Sequence, residues 1–210
     1  MPSVTRRRNV TTSRSAAPTR LIEATERLLG AGTPYIGLSV EQLCSEAGVA
    51  RSTFYVHFRD KGELVIRVAE RMLAQLSEAA AAWWVPGTDR SELRAATRRL
   101  VDVYAAHRAV LIALAETAVY DPELRAFQEA MVDRQAEPLA SLIEQGKRVG
   151  TVRDVPTRET VVALVGMVQL ACERLAEGDE AARDRLAEAI ASIAWHALFP
   201  DGHDGPGAAR

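Results

Sequence analysis

The chain has 210 residues, 48% of them hydrophobic and 26% charged, and a formal net charge of −2, so it can bury a substantial core in one or two domains. No apolar stretch approaches the ~20 residues that span a bilayer, and no secretory apolar segment is recognisable, so we expect a cytoplasmic protein without a membrane partner. The two cysteines, Cys44 and Cys172, each lie in an apolar helical segment, which indicates buried thiols rather than a disulfide framework.

The first residues form a basic arm, which we assign to residues 1–18. Five arginines and no acidic residue occur in the first 20 positions, whereas the remainder of the chain is net acidic. A basic end on an acidic body is typical of a protein that holds nucleic acid at one end only. A disordered tail has the same composition, so contact between the arm and DNA stays an open alternative.

A helix is predicted over about residues 19–30, followed by a loop and a capped second helix. Ser39 can cap this second helix, because Gln42 stands three residues later and completes a Ser-x-x-Gln capping box. Gly48 can adopt the left-handed conformation that ends a helix. The spacing therefore predicts two short helices joined at a glycine.

The helix after Gly48, over about residues 50–57, combines an apolar face with a polar one. Phe54 and Phe58 are four residues apart, so both rings can anchor the helix to its neighbours. The other faces carry groups that suit the DNA major groove, since arginine bonds guanine bidentately and hydroxyl groups bond bases or phosphates. These candidates are Arg51, Ser52, Thr53, Tyr55 and His57, with Lys61 in the first turn of the helix that follows.

The string from Gly48 to Leu64, GVARSTFYVHFRDKGEL, resembles the TetR family of bacterial transcriptional regulators, and the resemblance extends over about residues 18 to 66. It implies that Arg51, Ser52, Thr53 and His57 face bases, whereas Tyr55 and Lys61 contact phosphates. It also implies DNA-facing positions at the start of the preceding helix, at Ser39 and Val40, although valine offers only van der Waals contact.

The remaining sequence predicts an all-α fold of about nine helices, with no strand pattern and no internal repeat. A fourth helix is predicted over residues 61–84, followed by a break at Pro86 and Gly87. The later helical segments are predicted at about 89–106, 107–119, 122–149, 158–177 and 179–199, with Pro138 expected to kink or divide the longest. The domains are a helix-turn-helix domain at 19–66, a helical ligand-binding and dimerisation domain at 67–200, and a flexible tail at 201–210.

The last two helical segments each carry an apolar stripe, which predicts the surface of a homodimer. The stripes could instead pack on each other within one chain, but the resemblance implies a shared four-helix interface. A dimer would present two recognition helices to the half-sites of a palindromic double-stranded operator. The predicted interface residues are Val161, Leu164, Val165, Val168, Leu186, Ile190, Ile193 and Ala197.

The resemblance also implies a cavity for a small-molecule effector among the middle helices. We expect a mostly apolar effector, because this part of the sequence offers few charges for burial. The candidate lining residues are Leu100, Tyr104, His107, Leu111, Leu114, Met131, Gln135, Met167 and Leu170. The stretch from Tyr104 to Val110 and the sequence around Trp195 also resemble the ethionamide-resistance type of regulator.

The sequence therefore predicts a ligand-responsive repressor, with two alternatives kept open. One is a regulator of the same fold without a small-molecule ligand, controlled by a protein partner or by its abundance. The other is an enzyme, which is disfavoured because the four histidines lack metal-ligand spacing and no phosphate loop or nucleophile motif occurs. We predict no catalytic residue, no metal and no cofactor.

Overall fold

The computed structural model describes residues 16–81, 89–175 and 178–201. These residues form nine α-helices and no strand, which confirms the all-α prediction. The helices are α1 (Ala17–Gly30), α2 (Val40–Ala47), α3 (Arg51–His57), α4 (Lys61–Ala81), α5 (Arg90–Ala106), α6 (Arg108–Ala118), α7 (Pro122–Val149), α8 (Thr157–Leu175) and α9 (Glu180–Leu198). A single 3₁₀ turn, Tyr35–Gly37, lies between α1 and α2.

Several sequence predictions fall on residues outside the described ranges. They concern most of the basic arm, the end of the fourth helix near residue 84, the break at Pro86 and Gly87, and the tail after residue 201. The longest helix, α7, runs continuously through Pro138, so it is not divided there. Pro138 is exposed to solvent, where water can bond the carbonyl that loses its helical partner.

The first of two compact units contains Met1–Arg71 together with Ala109–Gln128. Its core contains the buried side chains Leu21, Leu43 and Phe54, one from each of the first three helices. Helix α1 packs against both α2 and α3, which brings these three side chains to one interior. The sequence had assigned residues 109–128 to the second domain, whereas the contacts place them with the helix-turn-helix.

The second unit contains Met72–Arg108 and Glu129–Arg210. Helix α5 packs most extensively against α9, and both also contact α8. Two ion pairs link α5 to α9. Arg94 Nε lies 2.8 Å from Glu188 Oε2, and Arg183 Nε lies 3.3 Å from Asp102 Oδ1. None of the helices that the structure describes is long and apolar enough to cross a membrane.

Candidate nucleic-acid interface

The turn between α2 and α3 has the geometry that the sequence predicts. Ser39 Oγ accepts a hydrogen bond from the Gln42 backbone N–H at 3.2 Å, while Gln42 Oε1 accepts from the Ser39 N–H at 2.8 Å. Gly48 lies in the left-handed region with a φ of 62°, and its N–H donates to the Ser45 carbonyl at 3.2 Å. This capped helix and glycine turn fix where α3 begins.

Two phenylalanine rings anchor α3 from its inner side. Phe54 is 0% exposed and Phe58 is buried beside it, with a distance of 5.5 Å between the ring centroids. Helix α3 has only seven residues and no side-chain cap, so its stability comes from this packing rather than from its own hydrogen bonds. The burial of both rings confirms their predicted role as anchors.

The opposite side of α3 presents the polar groups that the sequence singles out. Arg51, Ser52 and Tyr55 are exposed, whereas Thr53 and His57 are half-buried. On α2, Ser39 and Val40 are half-buried at the start of the helix. The structure thus brings hydroxyl, phenol and guanidinium groups to one outward surface, while their individual contacts with bases or phosphates stay predictions.

Sequence reasoning missed an apolar group on the same surface. Val56 is 62% exposed and lies one turn after Ser52, on the side of α3 that faces away from Phe54. A valine there can contact the methyl group of thymine in the major groove. Helical spacing alone could have found it, because a residue two positions from a buried anchor faces the opposite direction.

The guanidinium of Arg51 is held by two neighbours in the free protein. Its Nη1 forms an ion pair with Glu41 Oε1 on α2, and its Nη2 donates to Tyr55 Oη at 3.5 Å. The guanidinium carbon also lies 5.7 Å from the centroid of the Tyr55 ring, within cation–π range. The hydrogen bond to Tyr55 and the charge of Glu41 raise the pKa of Arg51, so the group remains cationic.

Lys61 lies at the start of α4 and its ammonium turns toward the loop before α2. Its Nζ donates to the carbonyl of Leu38 and, at 3.3 Å, to that of Ile36, and it lies 5.4 Å from the Tyr35 ring centroid. Burial lowers the pKa of Lys61. A contact between Lys61 and phosphate therefore requires the ammonium to exchange at least one loop carbonyl for the DNA.

A second basic residue, which the sequence analysis missed, connects the end of α3 to α7. Arg59 Nε lies 3.1 Å from Glu63 Oε2, and Arg59 Nη2 lies 2.9 Å from Glu123 Oε1 in the first turn of α7. All three residues belong to the first compact unit. Glu63 and Glu123 follow capping aspartates at two helix starts, but nothing in the local sequence shows that these starts share one arginine.

The second unit contains a groove of about 360 Å³ between α4, α5, α7 and α8. Its lining residues are Leu76, Ser77, Ala80, Ala81, Leu100, Gln135, Pro138, Leu139, Ser141, Leu142, Leu164, Val165 and Val168. Of the nine predicted ligand-binding residues, only Leu100 and Gln135 line it. These two residues lie on α5 and α7, and the ligand-binding role of all nine stays a prediction.

The other predicted ligand-binding residues lie elsewhere. Tyr104 is buried behind the groove and donates to Gln135 Oε1 at 3.3 Å, and the His107 ring bonds Gln75 Oε1 at 2.9 Å. Leu111 and Leu114 belong to the first compact unit, so they are not groove residues. Met131 is buried without lining the groove, Met167 is half-buried, and Leu170 is exposed, because these side chains point away from the groove face of their helices.

The predicted dimer stripes are mostly buried within the chain itself. Their role in a dimer interface stays a prediction, and the members buried within the chain are Val161, Leu164, Val168, Leu186 and Ile190. Val165 lines the groove, which leaves Ile193 and Ala197 as exposed or half-exposed members. The exposed apolar positions include Val162 and Leu170 on α8 and Ala189 and Ile193 on α9, with the half-exposed Gly166 between the first two.

Both cysteine thiols are buried within their helices. Burial raises the pKa of Cys172 to about 12 and also raises that of Cys44, so neither thiol ionises near neutral pH. Within the same residues, no group of three or more histidine, cysteine and acidic side chains could hold a metal ion.

The fold and the outward surface of α3 define a helix-turn-helix DNA-binding protein. Residues 21–68 match the sequence profile described as "Bacterial regulatory proteins, tetR family". Residues 21–68 therefore carry the DNA-binding segment that is typical of this family of transcriptional regulators. A search of curated proteins found no match.

Solved structures share this fold over nearly their whole length. A TetR-family regulator from Mesorhizobium loti superposes with a TM-score of 0.71 at 19% identity, covering 89% of this chain and 98% of that chain. A transcriptional regulator from Saccharomonospora viridis in complex with choline gives 0.67 at 19% identity, covering 89% and 99%. The regulator PfmR from Thermus thermophilus gives 0.62 at 20% identity, covering 86% and 100%. At these identities the similarity shows the fold alone.

Proposed function

We propose that the protein is a homodimeric repressor that binds a palindromic operator in the cytoplasm and is released from it by a small, neutral, mostly apolar molecule. The observation that carries the DNA-binding part is the two-sided helix α3, with Phe54 buried inside and Arg51, Ser52 and Tyr55 exposed outside. Base contacts from such a surface contribute about 1–3 kcal/mol each to discrimination, while phosphate contacts contribute affinity that falls with salt.

The contacts with DNA can be tested by replacing Arg51 and Tyr55 with alanine. An operator is first selected from random-sequence duplexes, and its dissociation constant is measured for each variant by fluorescence anisotropy. We expect each substitution to weaken operator binding by about 1–3 kcal/mol, because each removes an exposed group that bonds a base or a phosphate.

A matched control removes the same kind of charge away from α3. Arg67 on α4 is an exposed arginine paired only along its own helix, with Glu70 Oε2 at 3.4 Å, so Arg67→Ala should leave the operator affinity nearly unchanged. If Arg51→Ala and Tyr55→Ala fold normally and bind the operator like the wild-type protein, then α3 is not the recognition helix.

The groove in the second unit supports an apolar effector. Its volume lies in the range of small-molecule sites, and its described lining contains only aliphatic side chains, small residues, two serines and one amide. A quaternary ammonium such as the choline held by the Saccharomonospora viridis protein is best recognised by aromatic rings, which this described lining lacks. We therefore propose a neutral ligand with one hydrogen-bonding group, for which Gln135 is the partner. A closed, fully packed unit would instead have favoured a regulator without a ligand.

Filling the groove should separate effector binding from operator binding. Leu142→Trp places an indole ring in the groove. Because the ring occupies space that a ligand would need, we expect the neutral dye Nile red to bind at least about tenfold more weakly. The operator affinity should be preserved. Ala126→Trp, at an exposed position of the same helix outside the groove, is the control. Unchanged dye binding by Leu142→Trp would contradict the groove as the site.

The repressor mechanism also requires linkage between the two ligands. A neutral compound that displaces Nile red should weaken operator binding, and the operator should weaken binding of that compound by the same factor. If the compound binds with the same affinity in the presence and absence of operator, then an effector does not release the protein from DNA.

A further inference from the structure

Glu41 places a carboxylate on the outward surface of α2 and α3, which we propose to face DNA. It lies in the first turn of α2, where an acid is favourable for the helix dipole, but its side chain is 58% exposed and extends to Arg51 on α3. An acid at a DNA-binding surface opposes a polyanion. A carboxylate at this position therefore does not add to the electrostatic affinity for DNA.

The ion pair with Glu41 leaves only some of the N–H donors of Arg51 available to DNA. Arg51 Nη1 is engaged by Glu41 of α2 and Nη2 donates to Tyr55 Oη of α3, so two of the three guanidinium nitrogens are held in the free protein. A guanidinium has five N–H donors, and those not used here remain free to bond a base edge. The group is thus oriented before DNA arrives, and its charge is locally neutralised.

We propose that Glu41 is a specificity-determining residue, which positions Arg51 for a base edge and cancels its charge toward phosphates. The proposal rests on the proposed function. In a nonspecific complex the contacts are phosphates, so a neutralised arginine contributes little there. In the operator complex the arginine gains directional bonds to a guanine, which offset the constraint of the ion pair. Glu41 consequently weakens random binding more than operator binding.

The test compares Glu41→Gln with the wild-type protein on the selected operator and on a random duplex, over a series of salt concentrations. We expect Glu41→Gln to bind the random duplex about tenfold more tightly, with a steeper salt dependence by about one counterion, because one more cation becomes available to phosphates. The operator affinity should rise less than this or fall. The ratio of random to operator dissociation constants should therefore drop at least about fivefold.

Glu46 provides a matched control on the same helix. It forms an exposed ion pair with Arg27 of α1, with a distance of 2.9 Å between Oε1 and Nε, and has no contact with Arg51. Glu46→Gln removes the same charge and the same kind of pair. We expect it to leave the ratio of dissociation constants within about twofold of the wild-type value, because surface charge far from the contact acts weakly through screening salt.

A second variant distinguishes positioning from a direct contact. In an Arg51→Ala background, Glu41→Gln should no longer change the ratio, since the residue acts through the arginine. A ratio change that persists without Arg51 would overturn the proposal, as would equal gains on both duplexes in the wild-type background. If the wild-type protein binds no duplex at all, the proposed function fails first, which is a different result from an unchanged ratio with a functioning operator.

Discussion

Replacing Phe54 with alanine is expected to lower the free energy of unfolding by about 3–5 kcal/mol, a large part of the ~5–15 kcal/mol that a domain possesses. Phe54 is fully buried, and its ring lies 5.5 Å from that of Phe58 and 5.2 Å from that of Tyr55. Its removal leaves a cavity under a seven-residue helix that cannot persist alone. Operator binding should be lost together with the packing of α3.

The measurement is urea denaturation at fixed protein concentration, followed by circular dichroism. Val56→Ala changes a residue of the same helix that faces solvent, so it should alter stability by less than about 0.5 kcal/mol. Phe54→Leu, which retains an apolar side chain, should fall between the two. A loss below about 1 kcal/mol for Phe54→Ala would show that the ring does not hold α3 in place.

The helix-turn-helix could be predicted from the sequence because its determinants are local. The capping box joins Ser39 to a residue three positions away, and the left-handed turn depends on Gly48 alone. The two phenylalanine anchors follow from a spacing of four residues. Each of these features lies within about one helical turn, so the local sequence contains the information that specifies it.

The faces of α8 and α9 could not be assigned in the same way. Apolar residues occur around most of α8, with Val161 buried, Val162 exposed and Val165 in the groove. Periodicity identifies a helix but does not tell which of two apolar faces meets the same chain and which meets a partner. That choice depends on the packing of α8 and α9 with α5, which involves residues far apart in the sequence.

Ion pairs across the fold escaped the sequence analysis for a related reason. Arg59 and Glu123 are separated by 64 positions, and neither carries a local pattern that marks it. Glu41 and Arg51 are only ten positions apart, but their contact depends on the angle that the turn at Gly48 sets between two helices. Motif recognition therefore gave the residues that we expect to face DNA, but it did not reveal that Glu41 forms an ion pair with one of them, Arg51.

A charge placed on the exposed face of α8 should abolish the proposed dimer. Leu170 is 54% exposed and continues the solvent-facing line of Val162 and Gly166, and a Cβ added at Gly166 would meet no atom within 4 Å, so a partner helix can approach closely there. Leu170→Glu would bury a carboxylate without a partner in such an interface. We expect a monomer in sedimentation velocity and at least about 100-fold weaker operator binding, because the two half-sites are no longer held together.

Leu175 is the matched control for this prediction. It is 58% exposed and lies on the same helix, but five residues further along it points about 140° away from Leu170. Leu175→Glu adds the same charge to the same element and should leave both the sedimentation coefficient and the operator affinity close to the wild-type values. A dimer that survives Leu170→Glu would place the interface elsewhere. A dimer lost equally in both variants would show a general effect of charge on α8, which would remove the argument for this particular face.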